Sequence, residues 1–231
     1  SPDEAVNRLS ASLIRQHGRP FLWLPFPDPE DLAHPRGWVS VGDKAIPVYA
    51  PVALYFYALL LRLGTVGLVL LAALPASAAA AFVAGVAKLL PASRRWLAGL
   101  APLLGFPALY WLLQPWMNLS ILLICVCWAF FFWASWRETH SPRHLAIALF
   151  GVGAGAAVRP DYAAYLLLVA LLFAVSASPA EWKRISVLVT LAGLAAVALN
   201  LALNNLITGD PLRAAYQIVE GRDVGGGVGP R

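Results

Sequence analysis

The hydrophobic pattern changes character near residue 50. Before it, Val6, Leu9, Leu13 and Ile14 recur at three- and four-residue spacing, with Asn7, Arg8, Ser12, Arg15 and Gln16 between them. That period predicts an amphipathic helix over 4–17. Ser1, Pro2 and Glu4 suit its N-cap, first helical position and capping box, and Gly18 suits its end. Pro20, Pro25, Pro27, Pro29 and Pro35 make 19–37 an irregular, mostly extended loop. Trp38–Val41 and Lys44–Ile46 flank Gly42-Asp43, the pattern of a short hairpin.

Beyond residue 50, apolar runs dominate. Pro51–Leu63 predicts an apolar, aromatic helix that is too short to cross ~30 Å of hydrocarbon at about 1.5 Å per residue. An interfacial or re-entrant helix fits that length. Membrane spans are expected over 65–87 (interrupted by Pro75), 96–114 and 119–136. A pair of short helices over 145–158 and 163–177 and a last span over 185–207 complete six membrane segments. The expected fold is therefore all-α, a polytopic integral membrane helix bundle. Its parts are an outer loop (1–50), an interfacial helix (51–63), the six-segment bundle (64–207) and the start of a second outer loop (208–231).

Composition agrees. The chain is 60% hydrophobic and 13% charged, with mean hydropathy +0.69, whereas a soluble domain is about 25% charged. A polar surface around a soluble fold is excluded. The net charge of +5 does not point to nucleic acid, because the cations are scattered over short loops. Loops 88–95, 137–144 and 178–184 each carry Lys or Arg, which puts them inside and residues 1–50 outside. Ala76–Ala81 with Gly85, and Gly151-x-Gly153-x-Gly155, offer small-residue faces for close helix packing. The second run lacks the strand and acidic partner of a nucleotide loop. Cys125 and Cys127 lie in an apolar run without nearby metal-ligand partners and are expected to be packing residues. Asn118-Leu119-Ser120 spells a glycosylation sequon by chance at a membrane boundary. The start without methionine or signal sequence, and the Gly-rich tail 225–230, lead us to expect a membrane helix before Ser1 and more protein after Arg231.

Few residues are candidates for chemistry. Asp3 and Glu4 either favour a helix dipole or form the centre of a membrane enzyme. Arg159 and Asp161 are an ionisable pair at membrane depth, where charges line cavities or pair with each other. The short helices beside them set their turn below the outer surface. A structural pair and a site for an anionic headgroup are both open, the latter suited to guanidinium geometry. Asn200, Asn204 and Asn205 could bond across helices, and Thr208–Leu212 makes a sharp turn out of the membrane. Lys44, Tyr49 and His34 lie in the first loop, on the side of Asp3 and Glu4.

In this order and on these sides, the motifs resemble the shared module of the GT-C glycosyltransferases. The likeness is to the branch of protein O-mannosyltransferases and lipid A aminoarabinose transferases, often labelled family 39-like or dolichyl-phosphate-mannose-mannosyltransferase-like. Ser1-Pro2-Asp3-Glu4-Ala5 with Gly18 resembles that branch's acidic start of the first loop. Gly42-Asp43-Lys44 through Tyr49-Ala50-Pro51 is similar to the segment entering its interfacial helix. Ala157-Val158-Arg159-Pro160 resembles its small-residue helix ending in a basic residue, and Asn204–Pro211 its exit to the next outer loop. Many members carry an acid after a methionine at an outer turn; here Asn118 follows Met117, which weakens the expectation of a bound divalent metal.

The resemblance implies a polyprenyl-phosphate-linked sugar donor and an acceptor hydroxyl on a glycan, lipid or protein. Transfer would occur with inversion at the outer face of a bacterial cytoplasmic membrane. Asp3 is the expected base with Glu4 as helper, and Lys44, Tyr49, Arg159 and Asp161 are expected to bind substrate. No cofactor and no covalent nucleophile are implied. The alternatives are a lipid-linked glycan flippase or transporter, in which Asp3 and Glu4 only cap a helix, and an outer-face glycan polymerase or ligase.

Overall fold

A computed structural model describes residues 2–23, 38–41, 43–47, 51–104, 110, 112, 114, 118–159, 167, 169–171 and 178–213. These residues are mostly helical. Three helices are long and apolar enough to cross a membrane: Thr65–Leu89, Leu119–Thr139 and Glu181–Thr208. The chain separates into two compact units, one made of 1–68 with 198–231 and the other of 69–197.

In the first unit, α1 runs from Pro2 to His17 and stops at Gly18. Gly18 takes φ +76 and donates its N–H to the Ile14 carbonyl at 2.8 Å, a left-handed cap that a side chain would strain. Strands β2 (Trp38–Val41) and β3 (Lys44–Pro47) pair antiparallel, with Val41 opposite Lys44. Only 42–43 remain for the turn, as the sequence predicts. The loop expected from residue 19 holds one further element. Leu22–Trp23 forms β1 on the other edge of β3, giving a three-stranded sheet in the order β1-β3-β2. Two residues are too few for a sequence period to reveal; the strand exists because β3 offers it a hydrogen-bonding edge. Val6 and Leu13 of α1 pack with Trp38 and Ala45 of the sheet, and Leu22 joins them.

Helix α2 (Pro51–Arg62) packs against α1 and buries Ala53, Leu54, Tyr57, Ala58 and Leu60. Its 12 residues reach about 18 Å, short of the hydrocarbon thickness. Gly64, at φ +59, turns the chain into α3 (Thr65–Leu89). Gly67 lies directly on the Leu60 carbonyl, where a Cβ has no room.

The second unit is built on α5 (Asn118–Thr139) and α6 (Pro142–Val158), which pack side by side. Leu122, Ala129 and Trp136 meet Leu145, Ala148, Leu149 and Val152, with Ala170 and Ile185 in the same cluster. The link between them is shorter than the predicted 137–144 loop. Arg137 belongs to the last turn of α5, and the chain reverses at His140, which takes φ +52. The small-residue faces pack as expected. Gly85 lies under the Phe130 ring, a Cβ on Gly151 would sit 3.1 Å from that of Ala129, and one on Gly153 would sit 2.8 Å from that of Ala192.

Two boundaries differ from expectation. The predicted span 96–114 does not begin as an α-helix: Ala92–Leu100 is a 3-10 helix, followed by a short α4 (Ala101–Leu104). Pro91 ahead of it and the polar Ser93-Arg94-Arg95 oppose a membrane helix there. Of the rest of that stretch, Tyr110, Leu112 and Gln114 are described, the first two helical. Most of 163–177 also lies outside the described residues. The last helix, α7 (Pro179–Thr208), begins six residues before the expected Ile185. Its start carries the Glu half of a capping box: Ser178 donates its N–H at 3.0 Å and its hydroxyl at 2.8 Å to Glu181 Oε2.

The glycine contacts yield a comparison. Gly153→Val should destabilise the folded state by about 1–3 kcal/mol through overpacking. Gly193→Ala, with nothing near its Cβ, should be neutral or stabilising by up to about 1 kcal/mol. Thermal unfolding of the purified protein in detergent measures both.

Candidate functional site

Asp3 and Glu4 stand in the first turn of α1. Acidic groups there favour the positive end of the helix dipole. Of these two residues the structure describes the backbone alone. Lys44 opens β3, opposite Val41 on one side and Trp23 on the other. Tyr49 and Asp161 lie outside the described residues, as does His34. Arg159, half-buried, follows the C-terminus of α6 and donates its N–H to the Gly155 carbonyl at 3.0 Å. A cation is favourable at that helix end. It belongs to the second unit and is described there by itself.

Lys44, partly buried, stands against two aromatic rings. Its Nζ lies 4.8 Å from the Trp23 ring centroid and 5.0 Å from that of Phe21. The register explains this, because directly paired residues project to the same face of a sheet. Arg19 reaches the same rings, with Cζ 5.2 Å from Phe21 and 5.4 Å from Trp23. Phe21 and Trp23 stand two apart at the start of β1, and Arg19 reaches their rings from the bend at 18–20. The rings meet edge to face at 5.6 Å, the geometry that aromatic quadrupoles prefer. Phe21 is buried and Trp23 is 50% exposed. The sequence reading missed Arg19, because it lies in a bend outside the strand and only the fold brings it to these rings.

Two further groups shape this unit. The Tyr55 hydroxyl of α2 donates to the Gly18 carbonyl at 3.4 Å, and burial pushes its phenol upward, which keeps the donor protonated. At the exit from α7, Gly209 takes φ +78, Asn204 Nδ2 donates to the Pro211 carbonyl at 3.4 Å, and Asp210 Oδ1 accepts the Leu212 N–H at 2.9 Å. Thr208 Oγ1 accepts the Asp210 N–H at 3.2 Å and lies 2.9 Å from the Asn204 carbonyl. Asn204 therefore closes the exit turn instead of reaching to another helix. Among the described residues no three His, Cys, Asp or Glu side chains group as a metal site. Cys125 and Cys127 are free thiols, and the Cys125 carbonyl lies under Gly151.

Comparison with family models, with curated proteins and with solved structures returns no match.

Trp38, 4% exposed at the centre of the α1–sheet core, is the anchor of this region. Trp38→Ala should cost about 3–5 kcal/mol, and Trp38→Phe clearly less. Among the described residues the indole N–H has no hydrogen-bond partner, so Trp38→Phe removes packing and no described hydrogen bond. Hydrogen exchange of residues 5–17 and 38–47 would register the difference.

Proposed function

We propose that the protein is a polytopic membrane glycosyltransferase of the GT-C type. It moves a sugar from a polyprenyl-phosphate donor to an acceptor hydroxyl at the outer membrane face. The supporting observation is the make-up of the first unit. Residues 1–68 and 198–231 form one compact body, so the acidic start at Asp3-Glu4, Lys44 ahead of α2, and the Asn204–Pro211 exit belong together. These are three of the four stretches that carry the family resemblance, although well over a hundred residues lie between the first two and the third. Helix α2, apolar and too short to span, suits the interface from which a lipid-linked donor would be met.

The chemistry is a single displacement. The acceptor oxygen attacks the anomeric carbon from the face opposite the phosphate. The bond from that carbon to the phosphate oxygen breaks, and polyprenyl phosphate leaves with the electron pair. The acceptor's proton passes to a carboxylate, a role assigned to Asp3 with Glu4 as helper, both held by the helical first turn. Lys44 is the cation assigned to the departing phosphate; for Arg159, Tyr49 and Asp161 the substrate-binding role remains what the family resemblance implies. The bundle has six membrane segments, residues 1–50 lie outside, and the Lys- and Arg-bearing loops lie inside.

The test uses the full-length protein reconstituted with a polyprenyl-phosphate sugar and an acceptor. Asp3→Asn should lower sugar transfer by roughly 100- to 10,000-fold, the range for loss of a positioned base, and Glu4→Gln by less. Wild-type transfer by both variants, with folding intact, overturns the assignment. Movement of labelled glycolipid across the bilayer without a new glycosidic bond would favour a transporter.

A further inference from the structure

Arg19 and Lys44 come from different segments yet stand over the same two rings. Like charges gathered in one place repel each other. Cation–π contacts at exposed sites offset only about 0.5–1 kcal/mol each. Among the described residues, neither cation has a carboxylate within ion-pairing distance. Asp43, next to Lys44, is exposed in the turn. Among the described residues, the two cations thus share these rings without a paired carboxylate.

We infer that Arg19 and Lys44 form one binding site for a lipid-borne phosphate group, seated on Phe21 and Trp23. A guanidinium fork can take two phosphate oxygens while an ammonium takes a third. The half-exposed Trp23 gives the site an amphipathic floor of the kind that settles at membrane–water interfaces. The β1–β3 register, with Trp23 opposite Lys44, sets Lys44 over the rings that Arg19 also reaches. The ligand class is an anionic phosphate ester, supplied by an isoprenoid phosphate or by a phospholipid headgroup. The site deepens the donor-binding part of the proposed function and rests on that reading only for the identity of the donor.

Binding is measured by calorimetry on the full-length protein in detergent, with no sugar transfer involved. Three probes are used: phytanyl phosphate, phosphatidylglycerol and inorganic phosphate. Arg19→Gln and Lys44→Met should each weaken phytanyl phosphate binding by roughly tenfold, the loss expected for one charge-assisted contact. Arg19→Lys and Lys44→Arg should retain most of it, and Arg15→Gln, at an exposed cation of α1, should bind as wild type. Preference for phytanyl phosphate over phosphatidylglycerol identifies the isoprenoid ester as the ligand. Equal binding of both identifies the headgroup chemistry alone, and either result supports the site. Wild-type affinity in the Arg19→Gln/Lys44→Met double variant overturns it, as does binding of inorganic phosphate alone or of none of the three. Should Lys44→Met fail to fold, Arg19→Gln decides, because Arg19 is exposed. Phosphate binding without sugar transfer would leave this site standing and remove the transferase reading; the converse would remove this site alone.

Discussion

Apolar side chains facing outward set the terms for the rest of the molecule. In α7, 6% of the most apolar window is buried, and Val187, Leu191 and Leu194 are exposed. In water such a surface would drive aggregation; in a bilayer it is already among its own kind. Hydrocarbon then imposes its own demand, that every backbone N–H and C=O be satisfied internally. Long helices answer it, and once they form, burial of Leu against Leu no longer distinguishes helix from lipid. Close contact must come from small residues that admit a neighbour's backbone. Gly85, Gly151 and Gly153 do this against Phe130, Ala129 and Ala192. In the second unit Lys88 and Glu138 pair at 2.5 Å, so these two charges neutralise each other where α3 and α5 end.

The α1–sheet part of the first unit obeys ordinary aqueous physics. One face of α1 packs on a three-stranded sheet, glycines cap its ends and turns, and Trp38 fills the centre. Charged groups are left over on the outside, among them Arg19, which reaches the rings of Phe21 and Trp23. A charge held by a helix turn or by a strand register has lost its conformational freedom before any ligand arrives. That preorganisation is what a binding site requires and what a solvated loop lacks.

Much of this was legible in the sequence because it depends on local pattern. The 3.6-residue period announced α1, Gly42-Asp43 announced the β2–β3 turn, and unbroken apolar runs announced α3, α5 and α7. The start of α7 was also written locally, in Ser178-x-x-Glu181, but the positive charges of Lys183 and Arg184 drew the boundary to their far side. What could not be read was whatever depends on a partner distant in the chain. β1 has two residues and exists only because β3 lies beside it. Arg19 looked like a loop residue until the sheet set it over the rings that Lys44 also reaches. Trp96–Gln114 has the apolar content of a span, yet its beginning winds as a 3-10 helix under Pro91 and a polar pair. The joining of residues 1–68 with 198–231 in one body is likewise invisible to any local pattern.

The central claim is that lipid is the solvent of these outward faces, and a depth measurement reaches it most directly. Spin labels placed singly at Leu191, Leu194 and Val197, in protein reconstituted into bilayers, would be read for collision with oxygen and with a water-soluble nickel chelate. Oxygen collisions should dominate at all three positions, with the chelate excluded. Free access of the chelate to those positions would mean that α7 faces water, and the membrane account would be wrong.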